Sequence, residues 1–116
     1  MARSKLEQAL DTALEELFPD DVILQDTPIK VGKRTLFVDR ILPERQLAIE
    51  IDGRQHSVYV ERFHKDAAGF KDSKDRDHQK ELWLDANGFA FVRLKHNDKI
   101  TAANLRKKIL NAIKSQ

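Results

Sequence analysis

Strict alternation over Leu47-Ala48-Ile49-Glu50-Ile51-Asp52 constrains this chain more than any other feature. Leu47, Ile49 and Ile51 fall on one side of an extended strand, and Ala48, Glu50 and Asp52 on the other. One side can join a core. The other carries two carboxylates one residue apart, roughly 7 Å along a strand. Gly53 ends the run, and His56 follows within reach of its end. Upstream, Leu36 to Ile41 reads as a second strand, joined by a turn at Leu42-Pro43-Glu44-Arg45. A four-residue hairpin loop there sets Asp39 opposite Ala48, with Glu50 as its diagonal neighbour. Asp39, Glu50 and Asp52 then share one face, while Leu36, Val38, Leu47, Ile49 and Ile51 are expected to be buried together. Three carboxylates and an imidazole at a strand end suit a hard divalent cation. Any half-exposed strand with its acids in water shows the same alternation. Like charges on neighbouring strands nevertheless destabilise unless something compensates.

At 116 residues the chain is expected to form a single domain, residues 1–116, able to bury a core without staples. Charged residues are 34% and hydrophobic residues 41%, the balance of a globular protein rather than a disordered or membrane one. No cysteine is present, which excludes disulfides, thiolate catalysis and cysteine zinc sites. The N-terminus runs straight into an amphipathic helix, so the expectation is a cytoplasmic protein without signal peptide or membrane span. The net charge of +2 is unevenly spread. Acids dominate up to Asp21, whereas Arg93, Lys95, Lys99, Arg106, Lys107, Lys108 and Lys114 face Asp98 alone after residue 92. A basic end is compatible with a polyanion partner or with a solvated helix face.

In chain order, Ser4-Lys5-Leu6-Glu7 has capping-box form and opens a helix with an apolar stripe at Leu6, Ala9, Leu10, Ala13, Leu14 and Leu17. Pro19-Asp20-Asp21 stops it. Val22 to Gln25 predicts a first strand, broken at Asp26-Thr27-Pro28 and resumed by Ile29 to Val31, with a turn at Gly32-Lys33. Residues 57–72 show no period; Tyr59, Phe63, His64 and Phe70 stand among charges, as an arm or a lid would. Aromatics beside Arg62, Lys65 and Lys71 suit nucleic-acid contact, or packing on the protein itself. A cap at Asp72 or Ser73 predicts a second helix to Asn87-Gly88, on which Asp77 and Lys80 could pair. Phe89 to Leu94 reads as a strand covered on both faces, reached by a crossover and so parallel to its neighbour. Thr101 can cap a last helix.

The resulting order is helix, three strands, helix, strand, helix. With Ser-x-x-Glu at Glu7, Val-Asp at Asp39, Glu-Ile-Asp-Gly-x-x-His from Glu50 to His56, Asp77-x-x-Lys80, Leu84, Gly88 and Arg93, the chain resembles a known group. It is similar to the small PD-(D/E)xK-superfamily nucleases related to very-short-patch repair (Vsr-like) endonucleases, including the EDxHD type. The resemblance covers nearly the whole chain. It implies an α/β (α+β) restriction-endonuclease-like αβββαβ core with a mixed four-stranded sheet and an extra C-terminal helix.

The resemblance also implies a Mg²⁺-dependent DNA endonuclease, with Mn²⁺ as a substitute. Asp39 and Glu50 would hold the metal with the Ile51 carbonyl. His56 would be a catalytic histidine, and Glu7 the helix glutamate that reaches the site. Asp52 stands where the superfamily usually has lysine, so Lys80 from the next helix is a substitute for it. DNA would be met by Arg54, Arg62, Lys65, Lys71 and Lys95, with Arg106, Lys107 and Lys108 as weaker candidates. No membrane partner is implied, and a homodimer stays open. Two other classes share the same sequence features: an inactive nucleic-acid-binding module on this fold, and an interaction domain whose acids are only surface.

Overall fold

The structure, a computed structural model, describes residues 4–52 and 67–116, the side chains of 67–73 excepted. Helix α1 spans Lys5–Leu17. Its cap is the expected one: Ser4 Oγ accepts the Glu7 amide at 3.1 Å, satisfying one orphan donor of the first turn. Four strands follow the sequence pattern, β1 Leu24–Val31, β2 Arg34–Leu42, β3 Leu47–Asp52 and β4 Ala90–Lys95. Helix α2 spans Ala67–Ala86 and α3 spans Ala102–Lys114. The sheet order is β1-β2-β3-β4, antiparallel except for the parallel pair β3–β4. The chain is thus α+β, with a mixed four-stranded sheet flanked by three helices, as the sequence predicts at that level.

The sheet is buried on both faces. Leu47, Ile49, Ala90, Val92 and Leu94 pack with Leu10 and Leu14 of α1 and Leu105 and Ile109 of α3. On the opposite face Ile29, Leu36, Val38, Ile41 and Ala48 pack against Leu84 of α2. Leu36 and Val38 are therefore separated by the sheet from Leu47 and Ile49, contrary to the single core expected. The reason lies at Asp39. Val38 and Ile41, three residues apart, join the same cluster, so strict alternation lapses between them. The β1–β2 ladder skips Asp26 opposite Asp39, and Asp26 takes the left-handed φ of 45°. That single residue replaces the expected break in β1, which otherwise runs continuously.

The β2–β3 hairpin also differs from expectation, and the difference bears on the site. Leu42 is 1% exposed in the α1/α3 core, so burial extends β2 by one residue. Pro43–Arg45 then make a 3-10 turn, closed by Gln46 at φ 51°. Leu42 faces Leu47 and Arg40 faces Ile49. One step further puts Asp39 opposite Glu50, not Ala48. A shift of two residues leaves the shared face unchanged but brings these two carboxylates directly across from each other.

Helix α2 begins at Ala67, so the cap expected at Asp72 or Ser73 lies inside it and the aperiodic stretch ends earlier than expected. Its apolar residues form no continuous stripe, which is why its start was not legible. Leu84, fully buried, seats it on the sheet. Strand β4 starts and ends one residue later than the expected run of Phe89 to Leu94; it is covered on both sides as expected, with Ala90, Val92 and Leu94 on one face and Phe91, beside Phe89, packed on the other. Among the described residues no helix is long and apolar enough to cross a membrane.

Candidate active site

The site lies where the β2–β3 ladder ends. Beyond Arg40 and Ile49 the backbone pairing stops, and the Ile51 amide is taken up by Asp39 Oδ2 at 2.8 Å. The Asp39 amide, outside the β1 ladder at the Asp26 kink, donates to Glu50 Oε2 at 3.3 Å. These two bonds lock the acids into one unit. Asp39, Glu50, Ile51, Asp52, Asp77, Lys80 and Arg93 line a cavity of about 90 Å³.

Helix α2 roofs this cavity. Glu50 and Asp52 are only 7% and 6% exposed, so the face read as half-exposed is covered. Lys80 Nζ makes a salt bridge to Glu50 Oε1 and donates to the Phe37 carbonyl at 2.9 Å. Lys80 and Asp77, which the sequence suggests could pair with each other, both meet partners from beyond their own helix. Asp77 Oδ2 lies 3.4 Å from Arg93, which also approaches Asp52 at 4.0 Å and Glu81 at 3.7 Å. Burial pushes the Glu50 carboxyl up to about 8, helped by the hydrogen bond and charge of Asp39, while Lys80 pulls the other way. The acid thus sits near its titration point at neutral pH, a property common to catalytic and ligand-binding carboxyls.

The donor set consists of two carboxylates and the Ile51 carbonyl, all hard oxygen ligands, which fits a small divalent cation. Among the described residues no group of three or more His, Asp or Glu is arranged to hold a metal ion. The fit rests on Asp39, Glu50 and the backbone.

The structure brings together Asp39, Glu50, Asp52 and Lys80. Lys95 ends β4 in register with Asp52, exposed at the rim. Glu7 does not line the cavity; its amide donates to the capping Ser4 Oγ, and its charge is felt by Arg40. Arg54, His56, Arg62 and Lys65 lie outside the described residues, as does the side chain of Lys71. Arg106, Lys107 and Lys108 ride on α3, across the sheet from α2.

Two residues went unseen in the sequence. Arg40, 2% exposed, meets Asp11 of α1 through Nε at 3.0 Å and Nη2 at 3.3 Å, and donates from Nη1 to the Asp39 carbonyl at 2.7 Å. Burial alone would lower its pKa, but the hydrogen bond and charge of Asp11 hold it above its ordinary value. This pair ties α1 to the backbone of Asp39. The only signal was an arginine at a core-facing strand position, with an acid on the facing helix. Comparison with known proteins returned no match: no family model, no curated relative and no solved structure aligns with this chain.

Proposed function

We propose that this protein is a metal-dependent DNA endonuclease of the PD-(D/E)xK type, similar to Vsr-like enzymes. The observation that carries the proposal is the unit of half-buried Asp39 and buried Glu50 at a strand end, with Lys80 on Glu50. Mere surface acids would not be roofed by a helix at an energetic cost. Asp39, Glu50 and the Ile51 carbonyl would hold Mg²⁺, or Mn²⁺ in its place. When bound, such a cation neutralises charge on the scissile phosphate and lowers the pKa of a water. Within the chain, Asp39 orients the Ile51 backbone by accepting its amide. Lys80 stands where it can neutralise Glu50 or orient a water, the task that Asp52 cannot perform at the usual lysine position. Arg93 compensates Asp52 and Asp77. His56 is proposed to take the proton from that water or to give one to the leaving 3′ oxygen, tasks for which an imidazole is suited.

A second reading, an inactive DNA-binding module, is favoured by one observation: the Lys80 ammonium itself sits on Glu50 Oε1, one of the oxygens a cation would need. Incubation with supercoiled plasmid separates the two. Nicked or linear product that requires Mg²⁺ supports the nuclease, whereas salt-sensitive DNA binding with untouched plasmid supports the module.

A further inference from the structure

The hairpin of β1 and β2 carries cations without acids. From Thr27 to Val38 the sequence holds Lys30, Lys33 and Arg34 and no carboxylate, with Asp26 and Asp39 bracketing the stretch. Gly32, at φ 62°, opens the two-residue turn between Val31 and Arg34, and Lys33 completes it at the tip. No described residue pairs with the ammonium of Lys30 or of Lys33. One face of the hairpin is spoken for: Ile29, Leu36 and Val38 are buried in the cluster that holds Leu84 of α2. The other face is open. Pro28 beside Phe37 and Lys30 beside Thr35, paired across the ladder, are all exposed there, Phe37 by 55%. Among the described residues the α1/α3 core takes in Leu42 of β2 and nothing nearer the turn.

The hairpin is held in place relative to the site by two contacts with α2. Arg34 Nη1 donates to Gln79 Oε1 at 3.4 Å. The next residue of the helix, Lys80, donates to the Phe37 carbonyl at 2.9 Å while bridging to Glu50. Counted on from the Arg40–Ile49 pair, Phe37 is level with Asp52, the last residue of β3. The hairpin therefore runs on past the strand end that carries the candidate site. Lys30, beside Thr35, lies roughly 13 Å along β2 from Asp39, and Lys33 roughly 20 Å. Successive phosphates of one DNA strand advance by about 3.4 Å along the axis, so these distances span about four and six phosphates. We propose that this hairpin is a DNA arm: Lys30 and Lys33 neutralise backbone phosphates that flank the one presented to Asp39 and Glu50, and Phe37 with Pro28 packs on the intervening sugars. The proposal rests on DNA as the partner, which the nuclease and the inactive module share. A polyanion matches a surface that offers cations and no acid. Contacts to phosphate and sugar fix where a duplex lies without reading its sequence, so the arm supplies affinity and register rather than site preference.

The test is fluorescence anisotropy of a labelled non-specific duplex with the full chain, in chelator, over a series of salt concentrations. Replacing both Lys30→Ala and Lys33→Ala should reduce the slope of log affinity against log salt by about two and weaken binding about tenfold or more at low salt. Phe37→Ala changes no charge, so it should weaken binding several-fold and leave the slope as it is. All three side chains are exposed, so the melting temperatures of these variants should match the wild type. A wild type that binds with a steep slope, beside a double lysine variant of equal slope and affinity, would overturn the arm and leave the nuclease reading standing. Phe37→Ala binding as tightly as the wild type would overturn the packing of that face on the sugars. Wild-type affinity that does not respond to salt would overturn the arm and the DNA reading together.

Discussion

At the scale of single residues the site is governed by one buried acid. Unfolded, Glu50 ionises at its ordinary value of 4.5; folded, it holds its proton to about 8. Between these values the native state binds more protons than the unfolded state, so this group makes stability fall as pH rises. Glu50→Gln removes that dependence. The melting temperature of Glu50→Gln relative to wild type, with chelator present, should therefore rise from pH 5 to pH 8. A constant difference would mean that Glu50 is ionised throughout. Asp39→Asn keeps an oxygen acceptor for the Ile51 amide, so the fold should survive in it. What it loses, on the proposed reading, is a ligand charge. Mg²⁺-dependent nicking should vanish, and with it the rise in melting temperature expected of the wild type in excess Mg²⁺ or Mn²⁺. Full nicking with an unchanged metal response would end the assignment of Asp39.

At the scale of elements, two helices hold the site from opposite faces of the sheet. The α1 contact is the Arg40–Asp11 pair, whose guanidinium is almost fully buried. Removing one partner of such a pair leaves an uncompensated charge, so Asp11→Ala should destabilise by about 3 kcal/mol in chemical denaturation. Replacing both partners by apolar residues should restore much of that loss. An Asp11→Ala variant as stable as wild type would show that the pair does not anchor α1. The α2 contact rests on Leu84, fully buried in a cluster against which Trp83 and Phe89 pack. Leu84→Ala should lower stability by about 2–5 kcal/mol. It should also loosen Lys80 from Glu50, read as a nicking rate that falls further than the folded fraction does.

For the whole molecule, charge decides the partner. The net charge is only +2, and several cations near the cavity are already matched to acids, Arg93 to Asp77 and Lys80 to Glu50. On the proposed reading, DNA affinity would come from a modest number of phosphate contacts, Lys95 among them. Log affinity for non-specific duplex should fall linearly with log salt, with a slope that Lys95→Ala reduces by about one. Affinity that stays flat between low and physiological salt would count against DNA.

What the sequence determined by itself was local in origin. Alternation placed β3, the Ser4 and Thr101 caps opened α1 and α3, and the apolar run of Phe89 to Leu94 marked a strand covered on both sides. Periodicity and caps act within a few residues, so they can be read without knowing the partners. The carboxylate face was legible for the same reason, because a register shift of two preserves which residues share a face. Tertiary structure decided the rest. Leu42 was drawn into the α1/α3 core, which moved the hairpin and set Asp39 directly against Glu50. Arg40 found Asp11 across 29 positions, and Lys80 found Glu50 across 30. Side chains that far apart along the chain carry no mutual signal in composition or spacing. Their pairing follows from how the helices dock on the two faces of the sheet, and that docking is fixed by the burial of leucines elsewhere.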